Sequence, residues 1–154
     1  MMHKNWQVTK HSCHKDPIPH IYCKNFIKLD LYDRLYEQWN NAHHEHWKKI
    51  KKENNIEVHF HEDFSVPLKP KKTEGHIGYW FFRQRTDNSS GDNILLSKNG
   101  KEKVLNYYQN TVLILDVKNN FEIKKRKNSL PTRPFCEIYF SDETDHTIKK
   151  LLVE

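Results

Sequence analysis

The segment Thr111-Val112-Leu113-Ile114-Leu115 constrains this chain more than any other. Five consecutive apolar or β-branched side chains leave no polar face for solvent, so the run predicts a strand covered on both sides. Covering both faces of a strand requires layers above and below it. Residues 18–26, 56–60, 76–83, 93–96 and 135–140 read as further strands, and Gly78-Tyr79-Trp80-Phe81-Phe82 is the most strongly β-prone of these. Turn clusters at 87–92 and 97–100 and a loop at 67–73 separate them.

One stretch has the other period. Leu31, Leu35 and Trp39 fall at i, i+4 and i+8, and Tyr32 and Tyr36 widen the stripe, which predicts a helix over 30–39 with Asp30 as its N-cap. Residues 40–55 are crowded with His and Lys and read as a solvated continuation of that helix. Residues 119–133 read as a long polar connection, and 1–16 as an N-terminal arm or edge strand. Short strands at these intervals with a helix before them predict a mainly β fold: one jelly-roll domain over 17–154, with one or two N-terminal helices packed on the outer sheet.

Composition bounds the function class. A length of 154 residues suits one domain. With 36% hydrophobic residues and a mean hydropathy of -0.95, the core must rely on the 12% of aromatic residues. Net charge is +6 and the pI about 9.1, a balance that permits an acidic or nucleic-acid partner. Fourteen asparagines, abundant Lys and Ile, and a single alanine (Ala42) point instead to an AT-rich coding genome, microbial or viral, as the source of that charge. Three cysteines (Cys13, Cys23 and Cys136) argue against a disulfide framework. No secretory h-region and no apolar run of the ~18 residues needed to span a membrane is present, so the expectation is a cytoplasmic protein without a membrane partner.

The chemistry-bearing segment is His59-Phe60-His61-Glu62-Asp63. Alternate residues of a strand share a face, so His61 and Asp63 would aim an imidazole and a carboxylate at one point. Together they make two thirds of a 2-His-1-carboxylate facial triad, a ligand set for non-haem Fe(II). The third position is unusual: sixty-one residues beyond His61, the chain offers Glu122.

The order of features resembles the 2-oxoglutarate/Fe(II)-dependent oxygenases, in particular small prolyl-hydroxylase-like ones of phages and aquatic microbes. Pro19-His20-Ile21-Tyr22-Cys23-Lys24-Asn25-Phe26 corresponds to the entry strand, and His61-Glu62-Asp63 to the iron motif. Gly78-Tyr79-Trp80-Phe81-Phe82 corresponds to the strand across the pocket, with Ser90-Gly91-Asp92 at its turn. The run Tyr107-Tyr108-Gln109-Asn110 leading into Thr111–Leu115 corresponds to the strand before the distal ligand. Phe121-Glu122-Ile123-Lys124-Lys125-Arg126, followed by Arg133, matches the distal segment.

The resemblance spans roughly residues 18–140 and implies a double-stranded β-helix that uses Fe(II) and 2-oxoglutarate. It makes His61, Asp63 and Glu122 the metal ligands, Arg133 the anchor of the 2-oxoglutarate carboxylate, and Tyr79 a hydrogen-bond donor to that co-substrate. Glu122 precedes Arg133 by eleven residues, the separation the family shows between distal ligand and anchor. A glutamate in place of the distal histidine puts catalysis, rather than fold, in question.

The residues also have blander readings. His61 and Asp63 could be a polar pair on a strand, Glu122 a solvated partner of Lys124 or Lys125, and Arg133 a surface residue between Pro131 and Pro134. His43, His44 and His46 have helix-face metal spacing, but a Lys-rich helix usually just exposes them. His59-x-His61 resembles the cupin motif without its later histidine. Cys13, His14, His20 and Cys23 match no common zinc spacing. The basic runs 69–72 and 124–127 suit solvated loops or a phosphate backbone.

The leading expectation is therefore an Fe(II)/2-oxoglutarate-dependent dioxygenase with a small-molecule co-substrate and an unassigned substrate, a peptide or nucleic acid among the candidates. One alternative is a jelly roll that no longer turns over and serves as a binding or structural module; another is a basic nucleic-acid-binding domain. Oligomeric state is open.

Overall fold

A computed structural model of the chain describes residues 6–41, 43–64, 73–82, 93–125 and 133–153. The expected loop at 67–73, the turn at 87–92 with Ser90-Gly91-Asp92, and the basic run 69–72 lie wholly or mostly outside the described residues, as do Arg126 and Lys127.

The apolar run becomes β7 (Thr111–Asp116), buried along nearly its whole length. It sits inside a six-stranded antiparallel sheet with β1 (Cys13–His14), β2 (His20–Cys23), β3 (Glu57–His61), β4 (His76–Phe81) and β9 (Phe135–Tyr139). The order is β1-β2-β7-β4-β9-β3. A second antiparallel sheet holds β5 (Asn93–Lys98), β6 (Lys101–Asn106) and β8 (Glu122–Lys125) in the order β6-β5-β8. The expected mainly β architecture is thus present, with residues 6–14 running into the sheet edge.

Directly opposed residues of antiparallel strands share a face. On the outer face of the larger sheet lie Val58, Trp80, Val112, Ile114, Cys136 and Ile138, packed against α1 (Leu29–Glu37), α2 (Glu45–Asn54) and α3 (Asp142–Val153). On its inner face lie Tyr79, Phe81, Leu113, Leu115 and Phe135, packed against Ile94, Leu96, Leu105 and Ile123 of the smaller sheet. Two cores therefore flank one sheet, which is why β7 has no polar face. Gly78 faces the helices, where an added Cβ would come within 3.0 Å of the Phe140 ring.

The helices depart from expectation in instructive ways. α1 begins after Lys28, which makes no side-chain cap, and Asp30 lies in the first turn, where its charge still complements the helix dipole. The helix does not continue through 40–55, because Asn40 turns left-handed at φ 62°. α2 restarts at Glu45, capped by His44, whose Nδ1 accepts from the His46 amide at 3.3 Å. Trp47 and Ile50 are buried, so α2 is a core helix rather than a solvated one.

Asn25, Asn40, Asn55, Asn99 and Asn110 all adopt positive φ. Asparagine tolerates that region better than most residues, so part of the asparagine excess serves the turns. Asn110 does more. Its Oδ1 accepts from Trp80 Nε1 at 3.1 Å and its Nδ2 donates to the Ile27 carbonyl at 2.7 Å, tying the α1 entry to the sheet. No helix among the described residues is long and apolar enough to cross a membrane.

Candidate functional site

The larger sheet's inner face carries a polar row at its β3 end. His59 opposes Glu137, Glu137 opposes Tyr79, and Tyr79 opposes Leu113, so the four share one face. The row above it runs from His61 to Phe135 to Phe81, and the row below from Glu57 to Tyr139 to Ile77. Strand alternation puts these side chains on the inner face while Val58 and Phe60 turn to the helices.

His61 ends β3 and is 34% exposed at its side chain. Its ring stacks on Phe135 at 4.7 Å and 9°, and Phe135 stacks in turn on Phe64 at 4.0 Å. Its Nε2 lies 3.4 Å from Oε1 of Glu137, a carboxylate only 7% exposed. The imidazole is thus held by a ring below and a carboxylate beside it.

Asp63 follows β3. Its Oδ1 accepts the backbone N–H of Phe64 at 2.9 Å and that of Arg133 at 2.9 Å. The carboxylate therefore clamps the end of β3 to the entry of β9. Both amides belong to residues that are almost fully buried, so the acceptor is needed there whether or not a metal binds. Arg133 itself is 1% exposed, which rules out the surface reading for its guanidinium.

Glu122 opens β8 and is exposed, while its neighbours Phe121 and Ile123 are buried between the sheets. Phe121 lies edge-on to Tyr79 at 6.3 Å. At the start of β8 the inward position is thus a phenylalanine, and the glutamate points away from the core. Among the described residues, no group of three or more His, Cys, Asp and Glu side chains is placed to hold a metal ion.

The other histidines do not repair the set. Of the eleven, only His76 and His146 follow His61 in sequence. His76 is buried against α3, with its Nδ1 3.3 Å and its amide 2.9 Å from Asp145 Oδ1, and His146 lies within α3. Among the described residues, the donor set therefore does not fit a three-ligand iron centre. It fits 2-oxoglutarate only in part. Tyr79 could donate, but Glu137 directly opposite sets a carboxylate against a dianion.

Tyr79 is 0% exposed and its hydroxyl has no hydrogen-bond partner among the described residues. Burial, then Glu137, then Tyr139 push its pKa far up, so it remains a neutral phenol. Glu137 was not singled out in the sequence. The signal was available, since an acid within the alternating segment Phe135-Cys136-Glu137-Ile138-Tyr139 must share a face with Phe135.

Of the second basic run, the side chain of Lys124 is the one described, and it pairs with Glu102 at 3.9 Å on the exposed sheet face. The His43, His44 and His46 group supplies an N-cap rather than a gathered site, with the rings of His44 and His46 5.0 Å apart.

No family model matches the sequence, and no curated protein matches it in sequence. The coordinates do match solved structures. One is a prolyl-4-hydroxylase from Pseudomonas putida, with a TM-score of 0.53 and 10% identity over 79% of this chain and 83% of that one. The shared feature is the fold. This chain is a double-stranded β-helix similar to that of a prolyl hydroxylase, and the jelly-roll expectation holds.

Proposed function

We propose that this chain is a ligand-binding jelly roll of the prolyl-hydroxylase fold rather than an iron-dependent hydroxylase. The observation that carries the reading is that Glu122, the residue expected as third ligand, is turned outward at the start of β8, while Phe121 and Ile123 on either side of it point inward. The engagement of His61 with Glu137, and of Asp63 with two backbone amides, supports the same conclusion. In this reading the residues that resemble an iron corner brace the end of β3 against β9.

Anaerobic titration with Fe(II) tests it. The wild-type protein is expected to bind Fe(II) no better than an Asp63→Asn variant, and to give no visible charge-transfer band with 2-oxoglutarate. Phe121→His is expected to gain at least tenfold in Fe(II) affinity, about 1.4 kcal/mol, because it adds a third donor on the inner face. Glu122→His is expected to gain nothing. Stoichiometric wild-type binding that Asp63→Asn abolishes would overturn the proposal.

One observation favours the alternative, an Fe(II)/2-oxoglutarate dioxygenase acting on a peptide, nucleic-acid or small-molecule substrate. The bond from the Arg133 amide to Asp63 draws the expected co-substrate anchor and one expected ligand to the same corner. When bound, iron and 2-oxoglutarate would activate dioxygen, which is the oxidant of that chemistry. His61 and Asp63 would hold the metal and Arg133 a carboxylate. The same titration separates the two readings.

A further inference from the structure

We propose that β3 is an interface at which two copies of this chain pair edge to edge, joining their larger sheets about a twofold axis. The inference stands apart from the ligand-binding reading and concerns the outer edge of the strand.

That edge lacks the usual defences. β3 ends the six-stranded sheet, and among the described residues it pairs with β9 alone. A terminal strand presents a row of backbone donors and acceptors, which proteins blunt with lysine, proline or very short strands. The other three terminal strands among the described residues follow that rule. β1 has two residues, β6 carries Lys101 and Lys103, and β8 has four residues with Lys124 exposed. β3 runs for five residues, Glu57-Val58-His59-Phe60-His61, without Lys or Pro.

The strand's own sequence selects the occupant, because it complements itself when reversed. Antiparallel pairing about His59 sets Glu57 opposite His61 of the second copy, Val58 opposite Phe60, and His59 opposite His59. Directly opposed residues share a face, so the carboxylates and imidazoles of both copies gather on the inner face. Val58 and Phe60 of both copies meet on the helix side, where Phe60 is only partly buried within its own chain. The side chains of Glu57 and His59 are 70% and 51% exposed, so both can meet a partner. His61 engages Glu137 through Nε2, which leaves Nδ1 for the opposing carboxylate. A shift of one residue would set Glu57 against Phe60 and lose both matches. A strand of unrelated sequence gains the backbone bonds alone, whereas a second copy adds two Glu–His pairs. Five residue pairs bury less than about 1,200 Å², so the dimer is weak and reversible.

Sedimentation equilibrium of the full chain over roughly 5–500 µM, where so small an interface dissociates, tests the assignment. A monomer–dimer equilibrium is expected. Glu57→Lys is expected to weaken it about tenfold near pH 6.5, where the lysine opposes a partly protonated imidazole. His61→Lys is expected to tighten it roughly threefold, and that gain is expected to vanish when combined with Glu57→Lys. In a Cys13→Ser background, His59→Cys is expected to form an intermolecular disulfide with oxidised glutathione, since residues opposed at the axis stand about 4.5–5.5 Å apart at Cβ. Glu57→Cys faces position 61 instead and is expected to stay uncrosslinked. Glu57 and His59 are exposed, so these substitutions leave the core of the single copy intact. A monomer throughout the range, a dimer indifferent to Glu57→Lys, or equal cross-linking at positions 57 and 59 would overturn the inference.

Discussion

Asp63→Ala is expected to destabilise the protein by about 4 kcal/mol in chelator-containing, metal-free buffer, since two buried donors then lose their acceptor at about 1–3 kcal/mol each. For a chain of this size that corresponds to a fall in melting temperature of roughly 10 °C. The donors are the amides of Phe64 and Arg133, each 2.9 Å from Asp63 Oδ1. Asp63→Asn keeps an acceptor oxygen in that position, and its cost is expected to be less than half as large. A metal-ligand role predicts a different pattern. A ligand is needed only when metal is present, so both substitutions would leave the metal-free fold near wild-type stability and remove metal binding. Denaturant unfolding of the three proteins with chelator present decides between them: equal midpoints would mean that Asp63 is not a structural clamp.

The same carboxylate shows how much of the site was legible in the chain. His-x-Asp in an alternating segment led to the expectation that His61 and Asp63 aim at one point; His61 ends β3 opposite Phe135, and Asp63 follows the strand. What spacing could not show is which acceptors and donors the rest of the fold would bring to those two groups. Glu137 meets His61 from seventy-six residues away, and the Arg133 amide meets Asp63 from seventy. At β8 the strand's period of two decided the outcome. Counting eleven residues back from Arg133 selects Glu122, but the side chains that pack between the sheets are Phe121 and Ile123. A one-residue difference in register moves a side chain from the core to solvent.

The fold was more legible where apolar runs were long. The strand at 111–115 and the aromatic strand at 76–83 were plain because both faces are covered. β6 and β8 were hidden because each keeps one face in water: Lys101, Glu102, Lys103 and Lys124 make them resemble loops. The C-terminal helix α3 was hidden for a related reason, since only Thr144 and Ile148 of its twelve residues are buried. α2 was misjudged in the opposite direction, because two large apolar side chains, Trp47 and Ile50, outweigh a surface full of lysine.

Acidification should expose a second liability, at His20. This histidine is fully buried where β2 begins, and its Nδ1 lies 2.8 Å from the Ile18 carbonyl. A carbonyl only accepts, so Nδ1 carries the proton and Nε2 is left as an acceptor, 3.5 Å from Lys103 Nζ. Protonating Nε2 would bury a second positive charge against that ammonium, beside the stacked ring of His14 at 5.2 Å. Burial first, then Lys103 and His14, against the opposing bond to Ile18, lower the His20 pKa from 6.5 to about 4. The unfolded chain therefore binds more protons than the folded one between those values. Stability is complete above pH 6.5 and declines as pH falls toward 4, by about 3 kcal/mol in total from this group. His14, shifted the same way by burial and Lys103, adds to the slope. His20→Asn retains a donor for Ile18 but cannot titrate, so its unfolding free energy is expected to vary far less between pH 7 and pH 4. Lys103→Met is expected to flatten the curve only in part, because burial is the larger cause and remains. Parallel pH profiles for wild type and His20→Asn would show that the imidazole is not held neutral, and that this end of β2 accepts a proton beside the Lys103 ammonium.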